Sequence, residues 1–140
     1  MSKLLFFDLE TTGVKFWRNG IHQIGGIVDI DGQEAERFDI RLAPAGTIEQ
    51  EALDVAGVTL EQVQSYQPME DGYRQLVSIL SKYVDKFDKR DKMYLVGYNN
   101  AGFDNSFLRA LFQQCGDKYF GSWFYPNCMD VYVMVTPFLM

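Results

Sequence analysis

Leu4-Leu5-Phe6-Phe7-Asp8-Leu9-Glu10-Thr11-Thr12-Gly13 is the most informative stretch of the chain. Leu4 to Phe7 form an unbroken apolar run, which predicts a strand buried on both faces, as at the centre of a sheet. Two acids follow at its carboxyl end. Asp8 and Glu10 are two positions apart, so the period of a strand sets them on one face. Like charges side by side on a buried strand repel each other and resist desolvation, so something must neutralise them. A divalent cation does so, and hard oxygen ligands suit Mg²⁺ or Mn²⁺. Thr11-Thr12-Gly13 then makes a tight polar turn at the end of the strand where open α/β sheets place their ligands. The plainer reading of the same residues is a solvated strand end.

Outward from this run, a second strand is expected from Ile21 to Ile30, followed by Asp31-Gly32, a pair suited to a type I′ hairpin turn. A third strand runs from Glu34 to Leu42, with Glu36, Phe38, Ile40 and Leu42 on one face. Mixed signals from Ala45 to Gln67 suggest short helical turns, among them a capping box at Thr59 to Gln62. Tyr73, Leu76, Val77, Leu80, Val84 and Phe87 recur at spacings of three and four and predict one helix from Met69 to Phe87. Asp88 to Lys92 reads as a solvated charged turn, and Met93 to Tyr98 as a buried strand. A helix beginning near Asp104 or Asn105 carries Phe107, Leu108, Leu111, Phe112 and Cys115 inward and stops at Gly116. Trp123 to Tyr125 is a weak strand, and a last apolar segment begins near Val131. Hairpins first and alternating units later predict an α/β fold: a mixed central sheet, antiparallel at its N-terminal strands and parallel after them, flanked by helices.

Composition narrows the chemistry. The chain has 140 residues, the size of one domain, and 47% of them are hydrophobic, enough for a core without disulfides. One histidine, His22, and two cysteines, Cys115 and Cys128, cannot build a Cys/His zinc site or a disulfide framework. A net charge of −6 argues against a basic nucleic-acid face, although a site that gathers carboxylates around cations is itself acidic. No apolar run reaches the roughly 18 residues of a spanning helix, and no signal peptide opens the chain, so a soluble cytoplasmic protein without membrane partners is expected.

A second polar block, Tyr98-Asn99-Asn100-Ala101-Gly102-Phe103-Asp104, also lies where a buried strand ends and a helix begins. Asp104 read alone is a helix cap, and Phe103 a core residue. Read with Asp8 and Glu10, it completes a set of three acids at the carboxyl ends of strands. If those strands are neighbours, the acids converge, and the set suits a two-metal phosphoryl-transfer site. Phe16, Trp17 and Arg18 follow the first motif with Lys15 beside them, and such a group either stacks on a base or anchors the loop.

Phe7-Asp8-Leu9-Glu10-Thr11-Thr12-Gly13 and the Asn99 to Leu108 block resemble the first and second motifs of the DnaQ-like, or DEDD, 3′–5′ exonucleases. His22 to Ile30, Glu51 to Thr59 and Cys128-Met129-Asp130 resemble, in order, further segments of that family. The resemblance implies a ribonuclease H-like fold and removal of nucleotides from single-stranded 3′ ends, DNA in preference to RNA, with two Mg²⁺ or Mn²⁺ ions. It further implies a polymerase or another replication or repair protein as partner. Asp8, Glu10 and Asp104 would be the catalytic metal ligands. Leu9, Thr11, Thr12, Asn100, Phe103 and Trp17 would contact substrate. Ala56 stands where the family has a histidine. After Asp130 there is no Asp, Glu or His, so the family's third motif, with its general base and fourth carboxylate, is missing. Residues 1–140 are therefore expected to be one exonuclease domain cut before that motif. The alternative is a catalytically incomplete nucleic-acid or protein-binding domain that keeps the fold.

Overall fold

A computed structural model describes residues 2–97, 101–126 and 129–130. Residues 1, 98–100, 127–128 and 131–140, including the expected last apolar segment, lie outside the described residues. Three strands, β1 (Lys3–Thr11), β2 (Ile21–Ile30) and β3 (Gln33–Arg41), form an antiparallel meander. The turn between β2 and β3 is Asp31-Gly32 with φ of 54° and 85°, the left-handed pair that a type I′ turn requires. Helices α1 (Gln50–Ala56), α2 (Leu60–Gln64) and α3 (Met69–Leu80) follow, then β4 (Tyr94–Gly97), α4 (Ala101–Gln114), a 3₁₀ turn (Phe120–Ser122) and β5 (Met129–Asp130). The sheet order is β3-β2-β1-β4-β5, with β4 parallel to β1 and β5 parallel to β4. This is the mixed α/β sheet expected from the order of elements, with β1 at its centre.

One face of the sheet is sealed. Leu5, Phe7 and Leu9 of β1, Ile24 and Val28 of β2, Ile40 of β3 and Leu95 of β4 enter one core with Leu76 and Leu80 of α3 and Phe107, Leu108, Leu111 and Phe112 of α4. Phe112 sits in an aromatic cluster, edge-on to Tyr73 and to Phe120 at centroid distances of 5.2 and 5.1 Å. The opposite face is more open. Leu4 and Phe6 are only partly buried and Asp8 is exposed, so β1 alternates where burial on both sides was expected. Phe6, Asp8, Gly25, Ile27, Arg37 and Asp39 line a cleft of about 520 Å³ along that face.

Three elements differ from the sequence expectation. The helix predicted to reach Phe87 stops at Leu80, and the chain turns, with Tyr83 and Val84 N–H groups bonded to the Leu80 carbonyl. Val84 is still buried in the core, but Phe87 is 86% exposed. The second motif's helix begins at Ala101, which puts Asp104 in its first turn and not at its cap. Trp123 to Tyr125 makes only an isolated parallel bridge, Met93 to Phe124. The capping box at Thr59 and Gln62 forms as read from the sequence, with both reciprocal hydrogen bonds.

Candidate carboxylate site

Strand β1 and helix α4 come from segments nearly a hundred residues apart, and the parallel β1–β4 pairing brings their ends together. Register pairs Phe6 with Val96, so Asp8 and Glu10 lie just beyond the end of β4, where α4 begins. Asp104 is 6% exposed, and the nearby Leu9 backbone amide favours its charged form.

Two of the three carboxylates are held above the ordinary carboxylate range. Burial, then the charges of Asp8 and Glu10, push the Asp104 carboxyl up to about 7, against the opposing pull of the Leu9 amide. Burial, and then Asp8, raise Glu10 as well. Asp8 itself is exposed on the open face. No cation offsets this cluster through an ion pair among the described residues. Among the described residues, no group of three or more His, Cys, Asp or Glu side chains is placed to hold a metal ion as they stand. The set is hard, anionic and mutually repelling, which suits a hard divalent cation drawing the three carboxylates in.

The turn after the first motif is built from hydrogen bonds. Thr12 is fully buried; its hydroxyl accepts from the Gly20 N–H at 2.9 Å and donates to the Thr47 carbonyl at 2.9 Å. Asn19, 2% exposed, donates to the Thr12 and Thr47 carbonyls and accepts from the Lys15 N–H. A Cβ at Gly13 would overlap the Asn19 and Glu49 side chains, so glycine is required by close approach. This clasp closes a short loop that displays Val14 and Trp17 at 72% and 71% exposure, with Phe16 edge-on to Trp17. Asn19 had no motif around it to mark it in the sequence. Its only signal was its place beside Gly20, just ahead of the second strand.

The remaining predicted contacts divide by accessibility. The Leu9 side chain is buried in the core. Thr11 is partly buried, its hydroxyl donating to the Gly13 carbonyl at 2.7 Å. Phe103 is 36% exposed and packs against Phe107 at 4.9 Å between centroids. Asn100 lies outside the described residues. His22 is 1% exposed with both ring nitrogens unpartnered among the described residues, and burial lowers its pKa. That burial seals it from any reacting water.

The chain is similar to known proteins in both sequence and fold. The profile of the RNase_T family, described as exonuclease, matches residues 5–126. PolC-type DNA polymerase III of Streptococcus pyogenes serotype M5 is 29% identical over 108 residues, 77% of this chain but 7% of the polymerase. The PolC-type polymerase of Streptococcus suis is 27% identical over 110 residues, again 7% of its length. Among solved structures, the metal-free E. coli exonuclease I complex with single-stranded DNA superposes with a TM-score of 0.78 at 20% identity, covering 99% of this chain and 30% of that one. E. coli exonuclease I bound to a dT13 oligonucleotide gives 0.76 at 22% identity, again over 99% of this chain and 30% of that one. The chain thus spans under a third of each of these relatives, and at such identity the structures speak to the fold.

Proposed function

We propose that this chain, which belongs to the RNase_T family of exonucleases and so to the DnaQ-like group, is a metal-dependent 3′–5′ exonuclease domain. Its substrate in this reading is the 3′ end of single-stranded nucleic acid, DNA in preference to RNA, and its partner a polymerase or another replication or repair protein. The observation that carries the reading is the burial of Asp104 beside Asp8 and Glu10, carboxylates contributed by two segments remote in the chain.

Asp8, Glu10 and Asp104 would hold Mg²⁺ or Mn²⁺. The bound ions would supply an acidified water and charge neutralisation at the phosphodiester. The protein's own groups do the rest. Asp104 gives up its proton when a cation binds, because a coordinating carboxylate must be ionised. Thr11, Trp17 and Phe103 offer the accessible surface against which a terminal nucleotide packs. Thr12, by contrast, acts from behind: its hydroxyl holds the turn, so its influence on substrate passes through loop geometry.

The test is a Mn²⁺ titration read two ways, by thermal unfolding and by cleavage of a 5′-labelled single strand. Stabilisation by Mn²⁺ together with stepwise shortening from the 3′ end, both lost in Asp8→Ala, is the expected result. Absence of both effects in the unmodified protein sinks the enzyme reading and leaves a binding domain that retains the fold. Internal fragments in place of stepwise products indicate an endonuclease instead.

A further inference from the structure

The segment 81–92 lies at the far end of the central strands from the carboxylates. It precedes β4, and Asp91 forms an ion pair with Lys3 at the start of β1. Asp8 is five residues farther along that strand, about 17 Å away. Into this short stretch fall five of the chain's 13 lysines and arginines: Lys82, Lys86, Lys89, Arg90 and Lys92.

The aspartates interleaved with them form no ion pair with four of them among the described residues. Asp85 accepts from the Phe87 N–H at 3.0 Å, and Asp88 from the Arg90 N–H at 2.9 Å. Asp91 accepts from the Asp85 N–H at 2.8 Å and pairs with Lys3. Each carboxylate is directed at turn backbone, and no ion pair joins one to Lys86, Lys89, Arg90 or Lys92 among the described residues. Lys92 donates to the Lys86 and Asp88 carbonyls, which sets the turn. Lys82 is the exception, paired with Glu36.

The same turn puts aromatic surface outside. Phe87, ejected from the α3 stripe, is 86% exposed, and Tyr119 is 67% exposed. With Lys86, Lys89 and Lys92 they line a cleft of about 620 Å³. Lys86 and Phe87 also border a second cleft of about 550 Å³, which Trp123 lines as well. Trp123 is 3% exposed, and its indole N–H is buried without an acceptor among the described residues. A buried donor with no partner is rare and marks a place where an acceptor is wanted. The Lys86 ammonium stands 5.2 Å from the Phe87 ring and 5.8 Å from that of Trp123.

Unpaired ammonium groups alternating with exposed rings match a chain of phosphates that carries flat bases, since sequence-tolerant strand binding uses cations for the backbone and aromatic faces for stacking. We propose that the Lys86–Phe87–Tyr119 cleft is a second strand-binding site, which holds single-stranded nucleic acid upstream of the 3′ end by phosphate contacts to Lys86, Lys89 and Lys92 and by stacking on Phe87 and Tyr119. The word upstream rests on the exonuclease reading; the binding itself does not.

Fluorescence anisotropy in EDTA tests it, with labelled oligo-dT of about four and about sixteen nucleotides, the span of common single-strand site sizes. In Lys86→Glu/Lys89→Glu and in Phe87→Ala the affinity for the long strand falls about ten-fold or more relative to the short one, and in the lysine variant the salt dependence becomes shallower. Lys89→Gln, a milder change in the same turn, gives a smaller loss in the same direction and guards against a misfolded double variant. An unchanged ratio of long to short affinity overturns the proposal. So does a result in which a peptide of alternating glutamate and phenylalanine binds and is lost in these variants while oligo-dT is not, which makes the cleft a protein-docking surface. If Mn²⁺ supports no cleavage but the length-dependent loss is seen, the exonuclease reading fails and the cleft stands. If cleavage is intact and the variants bind long strands normally, the cleft fails alone.

Discussion

Replacing Asp104 by asparagine should stabilise the cation-free protein, and the gain should depend on pH. The Asp104 carboxyl moves from its ordinary 3.8 to about 7 on folding. The folded state therefore binds the extra proton between those values. A carboxyl raised in this way adds stability that is fully present below pH 3.8 and is lost as pH rises through 7. Roughly three pH units at 1.36 kcal/mol each amount to about 4 kcal/mol. At pH 8 the wild type bears that whole penalty, because it must ionise a buried carboxyl that also faces the charges of Asp8 and Glu10. The neutral amide introduced by Asp104→Asn bears none, so net stabilisation approaches about 4 kcal/mol from below. Urea denaturation in EDTA at several pH values measures the difference. It should be near zero at pH 3 and grow between pH 4 and pH 7. Added Mn²⁺ at pH 8 should narrow it, since the cation stabilises only the wild type. A variant less stable than wild type at pH 8, or a difference that does not vary with pH, refutes the view that Asp104 is buried beside two like charges.

His22 behaves in the opposite sense. Burial lowers its pKa, so the unfolded chain takes up the proton first, and stability falls as pH drops below 6.5; His22→Leu should flatten that acid limb in the same denaturation series, and an unchanged limb contradicts burial of the neutral ring. Asn19→Ala removes the bonds from Asn19 to the Thr12 and Thr47 carbonyls and from the Lys15 N–H. A loss of about 2–3 kcal/mol in urea denaturation is expected, with faster amide exchange in the loop that carries Trp17. Trp17 is 71% exposed; Trp17→Ala should weaken single-strand binding in EDTA with little change in melting temperature, whereas unchanged binding with a lowered melting temperature assigns the ring to loop anchoring.

Much of this protein is legible locally. An apolar run of four residues followed by Asp-x-Glu needs no partner to be read as a central strand bearing acids, because the period of two and the cost of desolvating like charges are properties of the segment itself. The Asp31-Gly32 turn and the Thr59 capping box are likewise local, set by φ preference and by hydrogen bonds within four residues. The pattern fails where a second element decides. The α3 stripe continues in sequence to Phe87, yet the chain turns after Leu80, and the aspartates of 85–91 cap backbone amides and pair with Lys3 from the other end of the chain. Asp104 looks like a helix cap until β1 is laid beside α4, where it is buried beside Asp8 and Glu10. His22 is a lone titratable residue in the sequence and a sealed neutral ring in the fold. In each case the deciding contact joins residues far apart in the chain, so no window of sequence contains both partners. The residue types and their order determine that carboxylates stand at strand ends. The β1–β4 pairing decides that Asp104 is buried near Asp8 and Glu10, and with it how tightly Asp104 holds its proton.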